Sequence, residues 1–193
     1  MKNNRQGGIL EKLARLVRDR RGISAVEFAV ILPIMVTLFV AGSEISQAIT
    51  IKRKATQVVR TVADLTSQDS SITNADMQTI FGAATSVLAP YSSTNAQGTV
   101  LLKIIVSSVN IDAQGAAKIG WSDSSPSGYA RVPNTTITLP AGLNVASTSL
   151  IWAEVSYDYV PPVGYGLLIN GTITLTDKIY LRPRTVATIA RVP

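Results

Sequence analysis

Residues 23–42 read ISAVEFAVILPIMVTLFVAG, twenty residues that carry one charge, Glu27. A helix of that length spans roughly 30 Å, the hydrocarbon thickness of a bilayer. Pro33 is compatible with this, because a membrane helix absorbs a kink. Such a run is either a membrane anchor or the apolar part of a secretory signal, with a small-residue cleavage site at Ala41-Gly42-Ser43. The run is longer than an ordinary signal core and holds Glu27 near its start. Its helical periodicity also continues: Ile45, Ala48, Ile49, Lys52, Ala55, Val58, Val59, Val62 and Leu65 recur at spacings of one helical turn. A cleavage site needs an extended peptide, so the pattern favours one uncut spine helix.

Charge orients that helix. The net charge of +6 suggests a nucleic-acid partner until its distribution is read. Lys2, Arg5, Lys12, Arg15, Arg18, Arg20 and Arg21 precede the apolar run, against only Glu11 and Asp19. The rest of the chain is almost neutral, so no nucleic-acid surface is expected on the folded body. A basic excess before the helix places that side in the cytoplasm and the remainder across the membrane.

The body beyond the anchor reads as α+β. After Ser43 the spine continues as an amphipathic rod to about Ser67. Asn74 then stands as a helix cap ahead of Met77, Ile80, Phe81, Ala84, Val87 and Leu88, with Pro90 ending the helix. Beyond it the period changes to two. Thr99 to Val109 and Ala117 to Ser122 form a hairpin about a turn at Asp112-Ala113-Gln114-Gly115, and Ser122 to Asn134 reads as a loop. Leu150 to Val160 places Ile151, Ala153, Val155, Tyr157 and Tyr159 on one face and Glu154, Ser156 and Asp158 on the other, before Pro161-Pro162. Thr172 to Leu181 alternates again, and Thr185 to Ala190 reads as a short final segment. The expectation is a basic leader (1–22), a transmembrane helix (23–42), its extracytoplasmic continuation (43–69) and a head (70–193) in which about four antiparallel strands pack on the spine.

Catalysis finds little footing. The chain has no cysteine and no histidine, which removes the commonest zinc ligands and the commonest general base. Its serines, aspartates and lysines lack the spacing of a nucleophile motif, and no glycine-rich phosphate loop is present. Neither enzymatic activity nor a cofactor or metal is expected.

The junction of leader and apolar run carries the strongest signal. Arg20-Arg21-Gly22-Ile23-Ser24-Ala25-Val26-Glu27-Phe28 resembles the processing site of type IV prepilins: a basic leader, a small residue, then an apolar stretch with glutamate fifth and an aromatic sixth. The wider stretch resembles the TadE-like minor pilins of the Tad (tight adherence) pilus system, with Ala25 to Ala29, Pro33 and Glu44 standing in the recurring positions. Asp64-Leu65-Thr66, Gly120-Trp121-Ser122, Leu139-Pro140-Ala141-Gly142-Leu143 and Glu154-Val155-Ser156-Tyr157-Asp158-Tyr159 resemble landmarks of the longer members.

The resemblance implies cleavage by a prepilin peptidase between Gly22 and Ile23. It implies an assembly role for Glu27 and Phe28, the glutamate pairing with the new N-terminal amine of a neighbouring subunit. The bland alternative for Glu27 is a carboxylate that reaches back to the headgroups. The implied partners are the prepilin peptidase, other pilus subunits, an inner-membrane assembly platform and lipid, in a pilus that serves adhesion. Two other readings stay open: a membrane-tethered module whose head binds a periplasmic ligand, and a secreted domain released by signal peptidase. Glu44 and the Lys52-Arg53-Lys54 run read as solvated helix positions, the run alternatively as a headgroup contact.

Overall fold

The computed structural model describes residues 21–162 and 171–193. Apart from Arg21 and Gly22, the basic leader therefore lies outside the described residues. The chain divides into two units after Glu44. Helix α1 (Arg21–Gln68) runs through that division, and all further elements belong to the second unit: β1 (Ser71–Ile72), α2 (Asn74–Leu88), β2 (Leu102–Ile111), β3 (Ala117–Ser125), β4 (Thr136–Ile137), β5 (Thr148–Tyr159), β6 (Ile173–Leu181) and β7 (Ala190–Arg191). The fold is α+β, with a long N-terminal helix, a short second helix and a curled antiparallel sheet.

The sheet has five strands rather than four, in the order β4-β3-β2-β5-β6, with every neighbour antiparallel. Its central strand β2 pairs along its whole length with β5, from Leu102 opposite Tyr157 to Ile111 opposite Thr148. Side chains alternate across a strand, so this register sends Leu102, Ile104 and Val106 to the same face as Ile151, Ala153, Val155, Tyr157 and Tyr159. Against that face pack Ile51, Ala55, Val58, Val59, Val62 and Ala63 of α1 and Met77, Ile80, Ala84 and Leu88 of α2, all in one buried cluster. The spacings of three and four residues are what places each helical set on one stripe.

Polar contacts fasten the rims of this packing. Lys52 of α1 donates to the Thr176 carbonyl at the edge strand β6, Thr56 bonds the Asp177 carboxylate, and Asp64 pairs with Arg184. A lysine on a carbonyl of an edge strand occupies an acceptor that another strand would otherwise use. The outer face of the sheet carries a second, smaller core of Val109, Ile111, Ala117, Ile119, Leu150 and Trp152, on which Ile137, Leu139 and Leu143 pack. Arg131 lies 3.9 Å above the Trp152 ring and pairs with Glu154 at 2.6 Å, while Tyr180 stacks on Trp152 at 5.5 Å.

Two local devices shape the head. The β2–β3 turn is closed by the Asp112 carboxylate, which accepts from the backbone of Gln114 at 3.0 Å and Ala116 at 2.7 Å, with Gly115 at φ +81°. A bulge follows in β3, where Ser108 faces Trp121 while Val109 faces Ile119, so Gly120 is the extra residue. The bulge turns Trp121 toward the helical face, where its indole N–H donates to the Ile189 carbonyl at 2.8 Å.

Several expectations shift. The cap of α2 is Thr73, not Asn74: the Thr73 hydroxyl accepts from the Asp76 backbone at 3.2 Å, and the Asp76 carboxylate accepts from the Thr73 backbone at 2.9 Å. β3 continues through the serine-rich stretch to Ser125, because Ser122 bonds Ser107 across the ladder at 2.9 Å. The short final segment is β7, which pairs in parallel with β1, Ser71 opposite Ala190.

The N-terminal apolar helix as candidate functional site

Every residue the sequence singles out for processing and assembly lies at the start of α1. Gly22, Ile23, Glu27 and Phe28 are exposed, Phe28 by 59%. Ile23 and Glu27 are four apart and share one helix face, with Phe28 beside it. A methyl group added at Gly22 meets nothing within 4 Å. Among the described residues, no contact gathers these four into a pocket. They form a surface, not a cleft.

That surface is apolar and uncovered. Each residue from 22 to 39 is exposed, including Val26, Val30, Ile31, Leu32, Ile34, Met35, Val36, Leu38 and Phe39. Exposure of that many large apolar side chains in water is strongly unfavourable, roughly 25 cal/mol for each Å2. A helix that is apolar all round finds its natural solvent in lipid or among other apolar helices. α1 is long and apolar enough to cross a bilayer, and it supports a single-pass membrane anchor. Its polar atoms are shielded accordingly. The Thr37 hydroxyl donates to the Pro33 carbonyl at 2.8 Å, and Ser43 donates to the Val40 carbonyl at 2.8 Å. Pro33 has no N–H to give, so a helix here frees a carbonyl one turn back.

Glu44 departs from the expectation of a solvated residue, being only 4% exposed. The signal for this was present in the spacing. Glu44, Ala48, Ile51, Ala55, Val58 and Val62 recur at alternating intervals of four and three, so the glutamate stands on the stripe that turns inward further along. Among the Lys52-Arg53-Lys54 run, Lys52 is anchored on Thr176 and lies 3.8 Å from Asp177, whereas Arg53 is exposed.

No curated protein and no solved structure matches the chain. One family does: the TadE-like protein family matches residues 22–64, from the small residue before Ile23 to the acidic residue near the end of the helix. The match falls on α1 alone and contains Gly22, Glu27, Phe28, Pro33 and Glu44. The likeness to TadE-like proteins is thus shown for residues 22–64, the helix that the apolar run and its lone carboxylate define.

Proposed function

We propose that the chain is a minor pilin or pseudopilin of a Tad-type pilus. The TadE-like domain supports an association with that pilus system. The observation that carries the finer reading is that the matched helix exposes apolar side chains all round from Ile23 to Phe39, with one carboxylate near its start. In this reading α1 holds the protein in the inner membrane, N-terminus in the cytoplasm and head in the periplasm, as the basic excess before Ile23 favours. A prepilin peptidase removes the leader between Gly22 and Ile23. The freed helix packs beside those of other pilus subunits and the assembly platform, in lipid, and the finished pilus serves adhesion.

Glu27 gives the assembly step its chemistry. A carboxylate within an apolar helix is expensive in hydrocarbon unless it meets a cation. The amine that cleavage creates on a neighbouring subunit is such a cation, and pairing the two fixes the axial offset of adjacent helices. Mass spectrometry of the mature protein tests processing, with Ile23 as the expected N-terminus. Gly22→Arg is expected to leave a membrane-bound form heavier by the leader, and identical mobility would overturn the cleavage. Glu27→Gln keeps length and hydrogen-bonding atoms. It is expected to leave membrane levels intact while crosslinks to other pilus subunits are lost. Crosslinks of wild-type strength would reduce Glu27 to an interfacial residue.

A further inference from the structure

Within the second unit, α1 turns one face away from the sheet. Ile45, Ile49, Arg53, Gln57 and Arg60 follow one another at one helical turn and share that face. All five are exposed, Ile45 by 59% and Ile49 by 49%, and neither isoleucine joins a core of the head. The face is apolar at its start and cationic beyond, with Lys54 beside Arg53.

No acid of the helix answers these cations. A wet helix face usually balances its charge with opposite charges one turn apart. Here the residues four before and four after Arg53 are Ile49 and Gln57, and those around Lys54 are Thr50 and Val58. Arg60 has Asp64 one turn on, but Arg184 and Gln68 each take one oxygen of that carboxylate. Among the described residues, no ion pair reaches Arg53, Lys54 or Arg60. Arg60 acts on Asp177 only through space, and Thr56 already bonds that carboxylate.

Nor does the rest of the head hold a matching anion. Among its described residues, every carboxylate except that of Asp69 accepts a bond from within the chain. A second copy would bring cations to cations, with Asp69 alone to set against them. The face is complementary to a molecule of opposite charge, and not to this chain itself.

Lipid phosphate and protein carboxylate both supply such charge, but they differ in reach. In the topology proposed above, α1 leaves the bilayer along its own axis, and Arg53 and Arg60 stand about 10 Å apart along it. One headgroup layer is about 5–8 Å deep. A helix running beside α1 meets both arginines and covers both isoleucines as well.

We infer that Ile45, Ile49, Arg53 and Arg60 form the docking face for a helix of a different pilus subunit, apolar opposite the isoleucines and acidic opposite the arginines. The inference rests on the reading of α1 as a pilus-subunit helix and adds the chemistry of its neighbour. The isoleucines supply contact area, while the arginines select the partner and fix its axial register.

The probe is a photo-crosslinking phenylalanine analogue in place of Gln57, between the arginines, in the full chain within cells that assemble the pilus. The same analogue in place of Phe39 reports packing of the anchor. Gln57 is expected to crosslink to a polypeptide other than this chain, with aspartate or glutamate within one helical turn of the joined residue. Arg53→Glu with Arg60→Glu is expected to lower that adduct at least about tenfold, with the Phe39 adduct and the melting of the purified protein unchanged. Arg53→Glu alone, which leaves the surroundings of Asp177 intact, is expected to do so in part. Lysines in place of the partner's acids are expected to restore the adduct to the reversed variant. A Gln57 adduct with a second copy alone, no Gln57 adduct while Phe39 still crosslinks, or a reversed variant that crosslinks like the wild type would each overturn the inference and leave the pilus reading standing. Binding to phosphatidylglycerol vesicles that the reversal abolishes, without a Gln57 adduct, would assign the face to lipid instead. Loss of adducts from both positions would remove the pilus reading together with the inference.

Discussion

The Lys103 ammonium on β2 donates to one oxygen of the Asp158 carboxylate on β5 at 2.9 Å, and the Thr174 hydroxyl on β6 donates to the other at 2.8 Å. One carboxylate thus ties three strands together on the outer face of the sheet. Burial pushes the Asp158 carboxyl up, but the bonds from Lys103 and Thr174 outweigh it and hold the group below the usual aspartate range. The hydrogen bond to Asp158 in turn raises Lys103.

The two shifts set a pH window. A depressed carboxylate contributes stability above its unfolded value, about 4, and loses it as pH falls through the lower folded value. A raised lysine contributes below its unfolded value, about 10, and loses it as pH rises through the folded one. Asp158→Asn is expected to lower stability at neutral pH by about 1 kcal/mol and to flatten the acid limb of a urea-midpoint profile. The flattening is partial, because Asp177, also held below its usual range by Thr56, the Lys178 backbone and Lys52 against its own burial, contributes with the same sign. An unchanged acid limb would show that Asp158 stabilises nothing.

Thr73→Ala removes the hydroxyl half of the reciprocal cap at the start of α2 and leaves the backbone N–H that donates to the Asp76 carboxylate. The expected loss is about 1 kcal/mol in denaturant unfolding, with no change in slope. Asn74→Ala is expected to be milder, since Asn74 makes its bond to Arg191 and not to the helix start. Equal losses would reinstate Asn74 as the cap.

Neighbouring isoleucines on β2 report the faces of the sheet. Ile104 is fully buried against the helices, whereas Ile105 is half-buried on the outer face. Ile104→Ala is expected to cost about 2–5 kcal/mol and Ile105→Ala less than about 1.5 kcal/mol. The reverse order would mean that the register of β2 is shifted by one residue.

A reporter active only outside the cytoplasm, fused after Ser70, is expected to be active, because the basic excess precedes Ile23. Activity from cytoplasmic reporters alone at that site would invert the anchor and remove the pilus reading with it.

Much of the head could be read from period alone. The two faces of β5 are those its alternation names, and Ala48, Ala55, Val58, Val59, Val62 and Leu65 of the expected α1 stripe pack on the core, whereas Ile45 and Ile49 are exposed and Ile51 and Ala63 are buried in their place. What escaped the sequence depends on distant partners. β1 and β7 have two residues each, too few for any period, and exist because each pairs with the other. The serines at the end of β3 resemble a loop by composition, and only the pairing with β2 makes them a strand. Thr73 and Asn74 are both good caps by type, and Asp76 three residues after Thr73 is the detail that separates them. The candidate site at Gly22, Ile23, Glu27 and Phe28 is a reading of a local motif within one helix, and the fold adds no distant partner to it among the described residues. The groove lined by α2, the end of β3 and Arg191 of β7 has no such local signal, since these elements meet only after folding.

The pairing of β7 with β1 also sets an order of events. Ile189 is wholly buried, Arg191 grips Asp123, Asn74 and the Ile72 carbonyl, and the Val192 backbone bonds Ile72 as well. β7 follows in sequence every element that it secures. In the topology proposed above, a chain threaded through the membrane from its N-terminal helix delivers its clasp last. In that order of events, the β1 edge and the α2 end of the head lack their β7 partner until residues 189–192 emerge.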